Sequence, residues 1–435
     1  MVRFRELPIS PYLQDRLAAA EFVTPTEVQA AAIPHAICGK DILATAQTGT
    51  GKTLAFLVPI IEKLLAEKLS AKDAKDAKDK DAGGRVSPLG QAQPAKGVRA
   101  IVLVPTRELA MQINKQYDQL RGKKLPPAAL LIGGNSERPQ VEALGRGAQL
   151  VVATPGRFED LYDRKLFKLD AVDTLVLDEA DRMLDMGFIP AIRRIVAKLP
   201  RSRQTLCFSA TLEPSVAHLV DDYLRNPVRL AFGSTRSASD SVDLTAYQVE
   251  ADQKLALLRR LLERENGRSL VFVRTKRATQ RLADKLERSG VRVAVIHGDR
   301  TQSQRTNALA SFQQGKSRVL VATDVASRGI HVDDIAQVIN YDLPAIAEDF
   351  IHRVGRTGRA GATGAAATFF TTVERADLAR LERSLQLKIK RARVDGDLVR
   401  EERPGPVDVS AMVPSPVKPG SKMMRLPGEV LQRHA

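Results

Sequence analysis

Tryptophan is absent from this chain, and aromatic residues of all kinds make up only 4% of it. A surface that reads flat rings by stacking has little material to work with here. Only two cysteines occur, Cys38 and Cys207, far apart and without metal-like spacing. That excludes a disulfide scaffold and a cysteine-built zinc site; both thiols are expected to be buried, in a reducing compartment. No uninterrupted apolar run approaches the roughly 18 residues a membrane span needs. Met1-Val2-Arg3-Phe4-Arg5-Glu6 lacks the apolar core of a secretory leader, so a cytoplasmic protein is expected. Acidic residues are in deficit, 51 against 67 Lys and Arg, for a formal net charge of +16. Surplus positive charge favours polyanions through counterion release, although charge alone leaves a basic protein without such a partner equally open.

At 435 residues the chain is too long for one ordinary core. Short apolar runs rich in β-branched residues recur at 100–104, 150–153, 175–177 and 205–208, then at 269–273, 293–296, 319–322 and 337–340. Such runs separated by helical patterns predict parallel sheets covered on both faces, an α/β fold. The small, polar stretch 233–243 predicts a flexible linker between a first domain over 1–232 and a second over 244–390. Within the first, Ala-Lys-Asp triplets and a Gly/Pro-rich segment span 70–97. A period of three gives no apolar helix face, so a disordered surface insertion is expected there. Residues 391–435 are Pro-rich and read as a flexible tail. The basic run 388–393 reads equally as a solvated helix end or as extra nucleic-acid contact.

Two segments carry phosphate chemistry. In Ala46-Gln47-Thr48-Gly49-Thr50-Gly51-Lys52-Thr53 the glycines let backbone N–H groups wrap a phosphate. The Lys52 ammonium neutralises it, the Thr53 hydroxyl can ligate magnesium, and the helix starting there adds its positive end. The first position is Ala46 where the strict pattern has glycine, so context must decide. That context is Leu175-Val176-Leu177-Asp178-Glu179-Ala180-Asp181. An apolar strand ending in Asp178 sets a carboxylate beside the loop to hold magnesium through water. Glu179 then reaches the γ-phosphate and can deprotonate the attacking water. Together they predict an ATPase or GTPase, and the absence of an Asn-Lys-x-Asp sequence argues against the GTPase.

Asp178-Glu179-Ala180-Asp181 spells the name of the DEAD-box RNA helicases, and the chain resembles that family over roughly residues 4–390. The resemblance implies two RecA-like parallel-sheet domains in tandem, with ATP and Mg2+ between them and single-stranded or duplex RNA as partner. Phe22-Val23-Thr24-Pro25-Thr26-Glu27-Val28-Gln29 is similar to the family's Q motif, in which Phe22 stacks on adenine and Gln29 reads its amino edge. Ser209-Ala210-Thr211 resembles the segment that couples hydrolysis to strand separation, with its hydroxyls bonded to Asp181. His352-Arg353-Val354-Gly355-Arg356-Thr357-Gly358-Arg359 is similar to motif VI. It implies Arg356 and Arg359 as arginine fingers, an effect worth about 10³–10⁵ in rate, and His352 as a link towards Asp181 and Ser209.

The RNA candidates are short segments beyond strand ends, where such sheets bind ligands. Pro105, Thr106, Arg107, Gly133, Gly134, Thr154, Gly156 and Arg157 lie in the first half. Arg274, Thr275, Gln302, Arg305 and Thr323 (with Asp324) lie in the second. Arg and Thr side chains, amides and helix N-termini suit phosphates and 2′-hydroxyls, so backbone recognition with little sequence preference is expected. One departure from the family stands out: His331 occupies a place where an aspartate usually contacts the ATP ribose, and His331→Asp is expected to tighten ATP binding. Two rival readings stay open, a DNA helicase or translocase on the same scaffold and an ATP-gated RNA clamp whose unwinding is incidental.

Overall fold

The computed structural model describes residues 3–46, 50–80, 97–210, 222–232, 242–324, 332, 334–358, 364–394 and 398–401. Seven strands form the first sheet: β1 (Ile42–Ala46), β2 (Ala100–Leu103), β3 (Ala129–Leu131), β4 (Leu150–Ala153), β5 (Thr174–Leu177), β6 (Gln204–Ser209) and β7 (Val228–Phe232). Seven more form the second: β8 (Val242–Gln248), β9 (Arg268–Phe272), β10 (Val293–Ile296), β11 (Val319–Ala322), β12 (Ile335–Asn340), β13 (Gly364–Phe370) and β14 (Lys390–Ala392). Every pairing is parallel. The first sheet runs β3-β4-β2-β5-β6-β1-β7 and the second β10-β11-β9-β12-β13-β8-β14. Adding seven to each number of the first order gives the second, so one topology is used twice although no sequence repeat is visible.

Helices α1 (Pro11–Ala19), α2 (Glu27–Ile37), α3 (Lys52–Lys80) and α4 (Arg107–Arg121) pack on one face of the first sheet. Helices α5 (Glu137–Gly145), α6 (Pro155–Asp163), α7 (Ala180–Asp185) and α8 (Ile189–Ala197) pack on the other. Alternation along each strand is what allows this. Val102, Val176, Leu206 and Phe208 join the core under α3, while Ile101, Leu103, Leu175, Leu177 and Cys207 join the opposite one. Each such side chain, fully buried, contributes roughly 1.5–3 kcal/mol. In the second sheet α9 (Lys254–Arg264) and α10 (Lys276–Arg288) cover one face, and α11 (Gln302–Gln313), α12 (Ala347–Val354) and α13 (Arg375–Leu385) the other.

Several expectations need correction. Cys207 is buried, and burial pushes its thiol up to about 12. Cys38 is exposed, because it caps the C-terminus of α2 where the helix runs out into solvent. The triplet segment does not leave the fold at residue 70: α3 runs on to Lys80. Alanine and lysine are good helix formers, and extending a nucleated helix needs no apolar face. Residues 81–96 of the expected insertion, and 233–241 of the expected linker, lie outside the described residues. β8 already begins at Val242, and β14 takes 391–392 from the expected tail into an edge strand beside β8. The basic run is therefore no helix end: Lys390–Ala392 is a strand, and Arg391 pairs with Glu382 at 2.6 Å. Among the described residues no helix is long and apolar enough to cross a membrane.

Candidate active site

Strand order decides which loops meet. β5, β6 and β1 are neighbours, and their C-terminal ends lead into Asp178–Asp181, Ser209-Ala210 and the phosphate-loop segment. β3, β4 and β2 lead into Gly133-Gly134, Thr154 and Pro105-Thr106-Arg107. One edge of the sheet thus carries the phosphate candidates on one half and the RNA candidates on the other. The second sheet repeats the division, with Arg274-Thr275, Thr323 and Gln302 following β9, β11 and β10.

On the phosphate side Lys52 is buried at the start of α3 and its Nζ donates to the Ala46 carbonyl at 2.8 Å. Thr53, the next residue, is half-buried. Gln29 braces the loop: its Oε1 accepts from Thr26 N–H at 2.9 Å and its Nε2 donates to the Gly51 carbonyl at 2.9 Å. Thr26 Oγ donates to the Thr50 carbonyl at 2.7 Å. Gly51 has φ +82, and a Cβ there would sit 2.3 Å from Gln29 Nε2, so only glycine fits this contact. Phe22 lies half-buried against the same core. Thr48 and Gly49 lie outside the described residues.

Asp178 is 2% exposed and its Oδ1 accepts from the Glu179 amide at 3.0 Å. Burial pushes its carboxyl up to about 7; the Lys52 ammonium pulls down and the Glu179 carboxylate pushes up again. A carboxylate in that position is stabilised by a nearby cation. Among the described residues no group of three or more His, Cys, Asp or Glu could hold a metal alone. A buried carboxylate at the end of β5, with a threonine hydroxyl at the start of α3, suits magnesium, which keeps waters and takes nucleotide phosphates as its other ligands. Glu179 is buried and left-handed, φ 54 and ψ 51, at the N-cap of α7. Non-glycine residues in this region store strain, and they cluster at functional sites. Arg182, 1% exposed, stands 3.6 Å from Glu179 Oε2.

Asp181 does reach the β6 end, but not as expected. Its Oδ2 accepts from the Ala210 N–H at 3.0 Å, whereas Ser209 Oγ makes no hydrogen bond among the described residues. Ser209 is held in the ladder opposite Thr45, which leaves the next amide to point past the sheet edge. Thr211 lies outside the described residues, as do His331 and Arg359.

Arg182 also faces the second half. It lines one small cavity with Phe272, Asp324, Asp349, His352, Arg353 and Arg356. Arg353, to which sequence reasoning gave no role, is the anchor of this group. It grips Asp324 with two hydrogen bonds of 2.5 and 2.6 Å, donates to Asn340 Oδ1 and the Asp342 carbonyl, and lies over the Phe272 ring. Arg356 is buried, its Nε donating to the His352 carbonyl at 3.2 Å.

On the RNA side Arg107 lies across the turn at Gly133-Gly134: a Cβ on Gly134, which has φ +77, would meet Arg107 Nη1 at 2.1 Å. Buried Gln140 holds that turn by bonding both the amide and the carbonyl of Ile132. Thr106 and Thr275 cap α4 and α10, each accepting from the amide three residues on. Pro105 is buried, Thr154 is the N-cap of α6, and Thr323 donates its amide to the Ile296 carbonyl. Gly156 has open space where a Cβ would be. Arg157 is tied to Glu137 and Asp160, and exposed Arg274 to Glu374. Gln302 and Arg305 join the two halves. Both donate to Glu108, Gln302 Nε2 at 3.0 Å and Arg305 Nη2 at 3.0 Å, and all three are buried or nearly so. Glu108 was missed because it sits off the 109/113/117/120 apolar phase of α4.

Residues 26–219 match the family description DEAD/DEAH box helicase, and 253–361 match Helicase conserved C-terminal domain. The chain is 38% identical over 389 residues to RNA helicase CrhR of Synechocystis, covering 89% of this chain and 73% of that one. The chain belongs to the DEAD-box RNA helicases. The ATP-dependent RNA helicase RhlB of Xanthomonas oryzae is 39% identical over 402 residues, 92% of this chain and 67% of its own. Among solved structures, S. cerevisiae Dbp5 bound to RNA and ADP BeF3 superposes with a TM-score of 0.74 at 29% identity, over 90% of this chain and 96% of Dbp5. Mss116p bound to ssRNA and AMP-PNP gives 0.78 at 26%, over 91% and 80%. The DEAD-box fold of two tandem RecA-like sheets is thus the one present here.

Proposed function

We propose that this DEAD-box chain is an ATP-dependent RNA helicase: it hydrolyses ATP when its halves close on single-stranded RNA, and closure opens base pairs locally. The observation that carries the reading is the meeting of halves through Glu108 with Gln302 and Arg305, and through the Arg182–Arg356 cavity. The RNA candidates and the phosphate candidates lie along one edge of each sheet, so a ligand at either site biases one closure equilibrium.

Phe22 and Gln29 take the adenine side, and Lys52 with residues 48–53 the phosphates. Glu179 accepts a proton from the water that attacks the γ-phosphorus, and the bond to the β-phosphate oxygen breaks with ADP leaving. Arg356 and Arg359 approach from the second half to neutralise the charge that develops. Thr53 and Asp178 would hold magnesium, which when bound would neutralise phosphate charge. Asp181 relays the state of the site to β6 through Ala210. RNA lies along Arg107, Gly133, Gly134, Thr154, Gly156 and Arg157, then Arg274, Thr275 and Thr323, recognised mainly by its backbone. Gln302 and Arg305 act on RNA by holding the halves together beneath it. The domains divide near 232 and 242, and a cytoplasmic location, where ATP and RNA meet, goes with this reading. The test is ATP turnover with RNA and with DNA of the same sequence; equal stimulation by the two would favour a general nucleic-acid translocase.

A further inference from the structure

A second anion site is suggested at the far end of the first sheet, where strands begin rather than end. There the last turns of α8, the connection into β6 and the approach to β7 enclose a cavity of about 550 Å³. Four arginines line it: Arg193, Arg201, Arg203 and Arg225. Its one lining carboxylate is Asp222, and the floor is apolar, with Leu199 and Leu224 buried. Among the described residues none of the four guanidiniums forms an ion pair. Nearby Asp41 compensates Arg203 only in part: its charge works against the lowering of the Arg203 pKa, while its two oxygens accept from the Thr205 and Arg225 amides at 2.8 and 2.7 Å. Arg203 donates through Nη1 to the Pro200 carbonyl at 3.1 Å, but its Nε is buried and without a hydrogen bond. Burial, and then the Arg225 charge, push the Arg203 pKa down.

Four arginines around one hollow, with Asp222 as the one lining carboxylate among the described residues, leave a surplus of positive charge that an entering anion would offset. Guanidinium forks bind phosphate or carboxylate bidentately. A phosphate supplies more acceptor oxygens and more charge per group than a carboxylate, and four converging arginines call for dense acceptors. A cavity of this size also lies within the range of small-ligand sites. We propose that this pocket binds a phosphorylated ligand carrying at least two negative charges, independently of the nucleotide loop. A free polyphosphate group and a stretch of RNA backbone present the same chemistry.

The experiment titrates pyrophosphate by calorimetry into the full chain already saturated with a non-hydrolysable ATP analogue, so that the nucleotide loop is filled. One saturable site is expected, weakened about tenfold or more by Arg193→Ser/Arg201→Ser and by Arg225→Ser. These residues are exposed and outside the catalytic machinery, and ATP turnover on an 8-nucleotide RNA should be unchanged. If the variants also weaken a 25-nucleotide RNA but not the 8-mer, the ligand is RNA backbone. If they affect pyrophosphate alone, it is a free phosphorylated molecule. No saturable pyrophosphate binding, binding indifferent to the variants, or tighter binding of hexaglutamate than of pyrophosphate would overturn the proposal.

Discussion

Replacing Glu108 by Ala should open the enzyme without unfolding it. Glu108 stands on α4 of the first half, and its two donors, Gln302 and Arg305, belong to α11 of the second. Removing one partner of a buried charge pair is worth about 3–5 kcal/mol when the other stays buried. Arg305 keeps other contacts and regains water when the halves part, so the loss falls on the closed form alone and is reduced to about 2 kcal/mol. That is roughly a 30-fold drop in the closed-to-open ratio. Burial, opposed by Glu108 and reinforced by Arg107, already lowers the Arg305 pKa, as expected for a cation whose main compensation is this carboxylate. The assay is fluorescence transfer between dyes on the two halves, with RNA and a non-hydrolysable ATP analogue present. Thermal melting should be almost unchanged. In a double-mutant cycle, Arg305→Met should add little to Glu108→Ala, with a coupling of about 1 kcal/mol or more. Full additivity, or a lower melting point with normal closure, would refute the reasoning.

Glu179→Gln should lower ATP turnover by about 10²–10⁴ while leaving ATP and RNA binding intact; normal turnover would remove Glu179 as the base. Arg353→Met strips Asp324, Asn340 and the Asp342 carbonyl of a buried partner. It should destabilise the second half by about 3–5 kcal/mol in a urea melt. Gly134→Ala must displace Arg107 from its turn, so RNA affinity should fall at unchanged ATP affinity, read by fluorescence anisotropy. Arg99→Met breaks a network with Glu67 and Asp173 at the other end of the first sheet, and should lower stability by roughly 2 kcal/mol with no effect on turnover.

Eight strands were legible because each is a short, mostly buried apolar run; 150–153, 293–296 and 319–322 coincide with β4, β10 and β11. The edge strands β7 and β14 were not, since exposed alternation such as Arg229 and Ala231 gives no continuous run. Lys52, Asp178, Glu179 and Asp181 could be read because chemistry limits which residues can stand at those strand ends. Glu108 and Arg353 could not: each owes its role to partners distant in sequence, and a lone charged residue on a helix usually faces solvent. The same reason hid the bonds by which Gln302 and Arg305 join the halves at Glu108.

The most direct measurement follows ATP hydrolysis and strand displacement together on one duplex with a single-stranded extension, made once in RNA and once in DNA. RNA should raise turnover roughly 5–150-fold, the range of ordinary coupling between sites, and release the shorter strand only while ATP is present. Equal stimulation by DNA, or turnover indifferent to RNA, would contradict the account.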